Sequence, residues 1–320
     1  PTFFSLEIGP NDILGYATGG GAGTDQTGNL DPATYGDSDI TDPNVFATLF
    51  SGMVTALTAN GAKGVVTNIP NVTDTPYFTS VPYNPIPLTA AAAGAVNAAY
   101  ALYNGGIQQA FDYLVAVSPM TQEMADAEIA KRTISFAAGG NAVVIMDEDL
   151  TDLTAINPGL ISMRQATADD LLVLASSAII GTLADPSNPL SVNGVGVPLA
   201  DQWVLTPEEQ LAIKTATDAY NTTIAAVVSS NSNIVLGDIN GLLTEVTTGA
   251  VFDGYTMTSS LVTGGFFGLD GIHPTARGYA LAANKILAAM DAGFGSNFTS
   301  ATNGLAKAGD YPTNYSAMLR

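Results

Sequence analysis

The sequence predicts an α/β fold built on a mainly parallel sheet with a segment inserted in mid-chain, and three observations carry that expectation. Strand-like runs alternate with amphipathic helical ones. The first two strand-like runs are separated by a helix, as a parallel crossover requires. Between about residues 85 and 205 the alternation loosens before it recovers, which reads as an insertion or lid subdomain. At 320 residues and 47% hydrophobic content the chain can bury a sizeable core.

The chain opens on Phe3, Phe4, Leu6 and Ile8, a short aromatic and aliphatic run stopped by Gly9 and Pro10, the pattern of a buried strand ending at a loop. A buried strand needs a neighbour on each side, so the expectation is that a segment of the same protein precedes Pro1. A Gly- and Asp-rich loop follows, then a helix from about Asn44, with Asp42 before Pro43 as its cap. "AKGVVTNIP" reads as the second strand. The proline-rich "DTPYFTSVPYNPIPL" reads as extended loop.

Within the inserted segment an Ala-rich helix, an acidic helix at "TQEMADAEIAKR", a strand at "NAVVIM" and a helix around "TADDLLVLASSAII" are expected. The pattern sharpens at Thr206, Pro207 and Glu209, a capping box with proline at the first helical position. A strand at "NIVLGDI" and a helix at "TARGYALAANKILAAM" complete the order.

Lys and Arg number 9 against 29 Asp and Glu, a net charge of -20, which disfavours phosphate backbones and anionic lipid as partners. The absence of cysteine excludes disulfides, thiolate metal sites and a cysteine nucleophile. With one histidine there is no zinc site either, and no cofactor is implied. The longest apolar stretch is interrupted by Asn97 and falls short of the roughly 20 residues a membrane span requires.

The single histidine, His273, follows Asp270 by three residues with Gly271 between, and Pro274 follows it. In so tight a loop a carboxylate reaches the imidazole, fixes its tautomer and stabilises the imidazolium formed when the ring takes a proton. Asp270 also fits a turn cap, and Asn11-Asp12 after Gly9-Pro10 also fits ordinary turn chemistry.

The run Asp270-Gly-Ile-His-Pro-Thr275 resembles the fifth block of the GDSL, or SGNH, hydrolases, and Gly9-Pro10-Asn11-Asp12 resembles their third block, Gly-x-Asn-Asp. "MRQATADDLL", "WVLTPEEQ" and "TGGFFGLDGIHPTARGYALAAN" resemble a lipase-like, secreted or lipoprotein branch of that family found in Bacteroidetes, so the likeness covers most of the chain. The resemblance implies a three-layer α/β/α domain of which residues 1–320 are the C-terminal portion. It also implies serine-dependent hydrolysis of a small-molecule or lipid carboxylic ester, and a secreted or cell-envelope location, as an outer-membrane lipoprotein for instance. It makes His273 the general base, Asp270 its orienter and Asn11 a side-chain donor to the oxyanion, with Gly9 and Asp12 beside the pocket.

In the family the nucleophile block precedes the Asn block, so the resemblance implies that the serine lies outside this chain, which alone is expected to be inactive. Gly36-Asp37-Ser38 imitates the nucleophile motif but follows Asn11, has Asp39 where an apolar residue is expected, and lacks a preceding hydrophobic strand. Ser38 is therefore expected in a solvated turn. No Gly-x-Ser-x-Gly elbow occurs. Asp37, Asp39 and Asp42 are spaced roughly like calcium ligands, but the glycine and the terminal glutamate of such a loop are missing. The loop "ATGGGAGTDQTGN" is a candidate pocket wall or a plain surface loop. A non-catalytic binding module of the same fold is the alternative to an ester hydrolase.

Overall fold

The structure is a computed structural model that describes residues 1–314. In chain order the elements are β1 (Phe3–Leu6), α1 (Asn11–Thr18), α2 (Pro43–Thr58), β2 (Lys63–Thr67), α3 (Pro76–Thr79), β3 (Ile86–Leu88), α4 (Ala90–Val117), α5 (Gln122–Arg132), β4 (Gly139–Asn141), β5 (Val144–Met146), β6 (Met163–Gln165), β7 (Leu171–Leu172), β8 (Val204–Leu205), α6 (Pro207–Ser230), β9 (Ile234–Gly237), α7 (Ile239–Thr248), β10 (Ala250–Phe252), β11 (Tyr255–Met257) and α8 (Ala276–Phe294). The chain forms two compact units: residues 1–80 with 209–320, and residues 81–208. No helix among the described residues is long and apolar enough to cross a membrane.

The first unit is organised by a parallel sheet in the order β1-β2-β9, with Phe4 opposite Gly64 and Val66 opposite Leu236. All three strands point the same way, so their carboxyl ends meet at one edge, where α/β sheets bind ligands. β2 is central and buried, as its Val65 and Val66 require.

The sequence expects the second neighbour of β1 to come from outside this chain. Among the described residues β1 pairs only with β2, it is an edge strand, and Phe3 is 41% exposed. Only Phe4 and Leu6 turn inward, the alternation of a half-covered strand.

α2 starts where Asp42 caps it: the carboxylate accepts the Asn44 and Val45 amides, and Pro43 occupies the first turn. Its inner face stacks Phe46 on Phe50 and on Tyr220 of α6, the second pair with ring centroids 4.3 Å apart. α8 lies over β9 so closely that a Cβ on Gly293 would meet Val235 at 2.1 Å. Its start is capped by Thr275, whose Oγ1 accepts the Gly278 amide. The β10-β11 hairpin turns at Asp253-Gly254, both at positive φ, the two-residue turn that Asp-Gly favours.

The second unit carries its own core on α4, with Tyr100, Tyr103, Ile107 and Phe111 packed against Ile134, Val143, Val144, Ile145 and Leu172. Its strands make three short antiparallel pairs, β3-β4, β5-β6 and β7-β8. α4 and α5 begin at the threonines Thr89 and Thr121, each accepting an amide three residues on. At the other end of α5, Arg132 is fully buried.

Two expectations are corrected here. The "TADDLLVLASSAII" segment is no helix: Leu171–Leu172 pair with β8 and Leu174–Ala178 form a 3-10 turn. Asp170 explains it, because its carboxylate is bound by Arg164 and by the Thr167 amide and hydroxyl, which fixes a turn where a helix would start. The proline-rich stretch after Asp74 is not extended throughout, since Pro76–Thr79 is helical and Ile86–Leu88 is a strand. Pro76 stands at the first helical position after Thr75, where its missing N–H costs nothing.

Candidate active site

The loop before α8 folds back on itself. Phe267 bridges Pro274, the Thr275 amide donates to Phe266 O, and the Gly268 amide donates to His273 O. At its tip Asp270 Oδ1 accepts the amides of Ile272 and His273, and Oδ2 lies 2.8 Å from His273 Nδ1. An ionised carboxylate only accepts, so Nδ1 carries the proton, and in the neutral ring the lone pair is then on Nε2. Among the described residues no other side chain bonds the ring. The dyad is open to solvent, with 68% of the His273 and 52% of the Asp270 side chain exposed. Partial burial would raise the Asp270 carboxyl, but hydrogen bonds from Ile272 N and the His273 ring and amide outweigh it and hold the group below its ordinary value.

The turn after β1 carries the second candidate, Asn11. Gly9 stands at φ +111°, and a Cβ there would come within 2.4 Å of Ile69 Cδ1, so only glycine allows the chain to leave β1 this tightly. Asn11 is the first residue of α1 rather than the tip of a strand, because the Gly9 and Pro10 carbonyls already accept the amides of Asp12 and Leu14. The Asn11 side chain is exposed at the helix start. Asp12 points elsewhere: Oδ1 accepts the Thr41 hydroxyl, and burial raises its carboxyl. It fastens the following loop to α1.

Two further residues at the sheet's carboxyl edge were not singled out from the sequence. Asn68, just past β2, donates to Asp238, just past β9, at 2.7 Å, and accepts the Asn240 amide. Polar residues after strands are so common that no sequence signal distinguished them.

Ser38 lies in a turn, as expected, but is half-buried rather than fully exposed, and a Cβ on Gly15 of α1 would meet the Asp37 and Ser38 backbone. Asp39 and Asp42 do not form an ion site with Asp37. Asp39 accepts the Thr24 and Gly36 amides and the Gln26 side chain, and Asp42 accepts those of Gly28, Asn44 and Val45. The loop from Ala17 to Asn29 is thereby pinned at Thr24, Gln26 and Gly28.

No family model matches the chain, and no curated protein or solved structure matches it.

Proposed function

We propose that this chain carries the base and oxyanion half of a serine-dependent carboxylic ester hydrolase of the SGNH type. The observation that carries the reading is the 2.8 Å contact of His273 Nδ1 with Asp270 in a loop that leaves Nε2 free. In that state Nε2 takes the proton of a serine hydroxyl as the oxygen attacks the ester carbonyl, and Asp270 stabilises the resulting imidazolium. His273 then returns the proton to the departing alkoxide. The Asn11 carboxamide, at the start of α1, is the donor offered to the carbonyl oxygen as it becomes negative.

Three features support the finer architecture: the parallel order β1-β2-β9, α8 over one face of β9, and the Asn and His motifs following the sheet in the family's order. A three-layer α/β/α domain and a secreted or envelope location belong to the same reading. No serine bonds the imidazole among the described residues, and Ser38 is packed against α1. In this reading the family's order of blocks, nucleophile before Asn, puts the serine outside positions 1–320.

The test is labelling with a fluorophosphonate and hydrolysis of a short-chain nitrophenyl ester, by the 320-residue chain and by its complete gene product, each with and without His273→Ala. The reading expects His273-dependent turnover and label on a serine outside these positions. His273-dependent label within them moves the nucleophile into the chain. Turnover indifferent to His273→Ala removes the reading, and no turnover in any form leaves the binding module.

A further inference from the structure

We propose that Tyr77 is the positioning residue of this site, one side chain and one amide that hold the dyad loop and the helix bearing Asn11 to a common support. The proposal rests on the ester-hydrolase reading for its function, but its geometry stands apart from it. Tyr77 belongs to α3, the short helix in the stretch expected to be extended loop. Its backbone amide donates to Gly271 O at 3.0 Å, between Asp270 and His273. Its phenol donates to Thr18 O, the last residue of α1, at 3.4 Å. The ring is half-buried and meets Phe78 edge to face, with centroids 4.9 Å apart. Burial pushes its hydroxyl pKa up, which keeps it a proton donor.

The contact with the dyad loop is too close for a side chain between. Gly271 stands at φ +73°, and a Cβ there would fall 2.7 Å from Tyr77 N and 3.0 Å from Tyr77 Cα. Those are backbone atoms in a helix started by Thr75-Pro76, so they do not move aside as the end of a flexible side chain would. On its other side α1 packs against the 3-10 turn Val72–Asp74 that leads into α3. The base and the amide donor sit on separate stretches of chain more than 250 residues apart, and Tyr77 touches both stretches. A dyad that is more than half exposed has little packing of its own to fix it, so this backbone contact sets where His273 stands.

The experiment uses the fact that His273 is the only imidazole in the chain, so its ring nitrogens give one unambiguous set of 15N signals. Nitrogen shifts of neutral His273 report which nitrogen holds the proton, and the Asn11 carboxamide reports on α1. In the unaltered chain the Nδ1–H form should dominate. Gly271→Ala should erode that signature and leave the Asn11 signal in place. Tyr77→Phe and Tyr77→Ala both remove the hydroxyl and keep the backbone amide, so each should move the Asn11 signal and leave His273 in place. Gly254→Ala is the control, because Gly254 also has positive φ, at +82°, but open space where its Cβ would stand. Thermal melts followed by circular dichroism show that each variant folds.

The proposal is overturned if folded Tyr77→Ala leaves the Asn11 signal unchanged, or if Gly254→Ala disturbs His273 as much as Gly271→Ala does. Neither readout needs turnover, so an inactive protein with the expected shifts would remove the hydrolase reading and keep Tyr77 in its role.

Discussion

Asp270 holds His273 twice, through the backbone amide to Oδ1 at 3.0 Å and through ring Nδ1 to Oδ2 at 2.8 Å. Ring orientation and loop conformation therefore depend on the same carboxylate. Asp270→Asn should reverse the ring's tautomer and cut His273-dependent ester turnover by about 10²- to 10⁴-fold, measured as kcat on a nitrophenyl ester. A variant with full activity would show that the carboxylate orients nothing that matters to the reaction.

The same carboxylate has a signed pH dependence. Its folded pKa lies below the ordinary value of 3.8, so the stability it contributes is present above that value and is lost as pH falls through the lower, folded one. The dyad should stay assembled down through the range in which free aspartates protonate, checked by following the His273 ring 15N signals during acid titration. Release of the ring at a higher pH than a free aspartate titrates would contradict this.

Asn11→Ala tests the donor. A fixed amide aimed at a developing oxyanion is worth about 10²- to 10³-fold in kcat with little change in KM. Steady-state kinetics of the complete gene product should show that split. A change confined to KM would mean that Asn11 binds the ground state and gives no special help to the transition state.

In the second unit, Arg164 is held between Asp147 and Asp170, all three nearly buried, with 2.7 Å contacts from both terminal nitrogens to Asp170. Removing the cation strands two carboxylates away from water. Arg164→Ala should destabilise this unit by about 3–5 kcal/mol, read from denaturant unfolding. A loss under about 1 kcal/mol would mean the carboxylates are solvated without it.

Because the second unit's core is drawn wholly from residues 86–204, a fragment spanning residues 81–208 should fold alone. A cooperative melt and native-like circular dichroism of the fragment are the measures, and a non-cooperative melt would show that its core depends on the rest of the chain.

Much of this was legible because it is local. Asp42-Pro43, Thr206-Pro207 and Thr275 announce helix starts, and α2, α6 and α8 begin there. The Asp270–His273 contact was legible too, since three residues with a glycine between leave the carboxylate few other partners. What escaped depended on partners distant in sequence. Asp170 reads as the first turn of a helix until Arg164 binds it. Pro76 reads as a breaker until Thr75 makes it a helix start. Among the described residues β1 has a single neighbour, and Phe3 stays partly exposed.

That single neighbour has a consequence for handling the protein. Among the described residues the outer edge of β1 is an unpaired row of amides and carbonyls with Phe3 partly bare, a template on which another extended chain can hydrogen-bond. What opposes self-pairing is mutual repulsion between chains of charge -20, and that force reaches only about 10 Å at 0.1 M salt and about 3 Å at 1 M. Ionic strength therefore acts as the gate on association: dilute buffer keeps the molecules apart, and concentrated salt lets the exposed strands find one another.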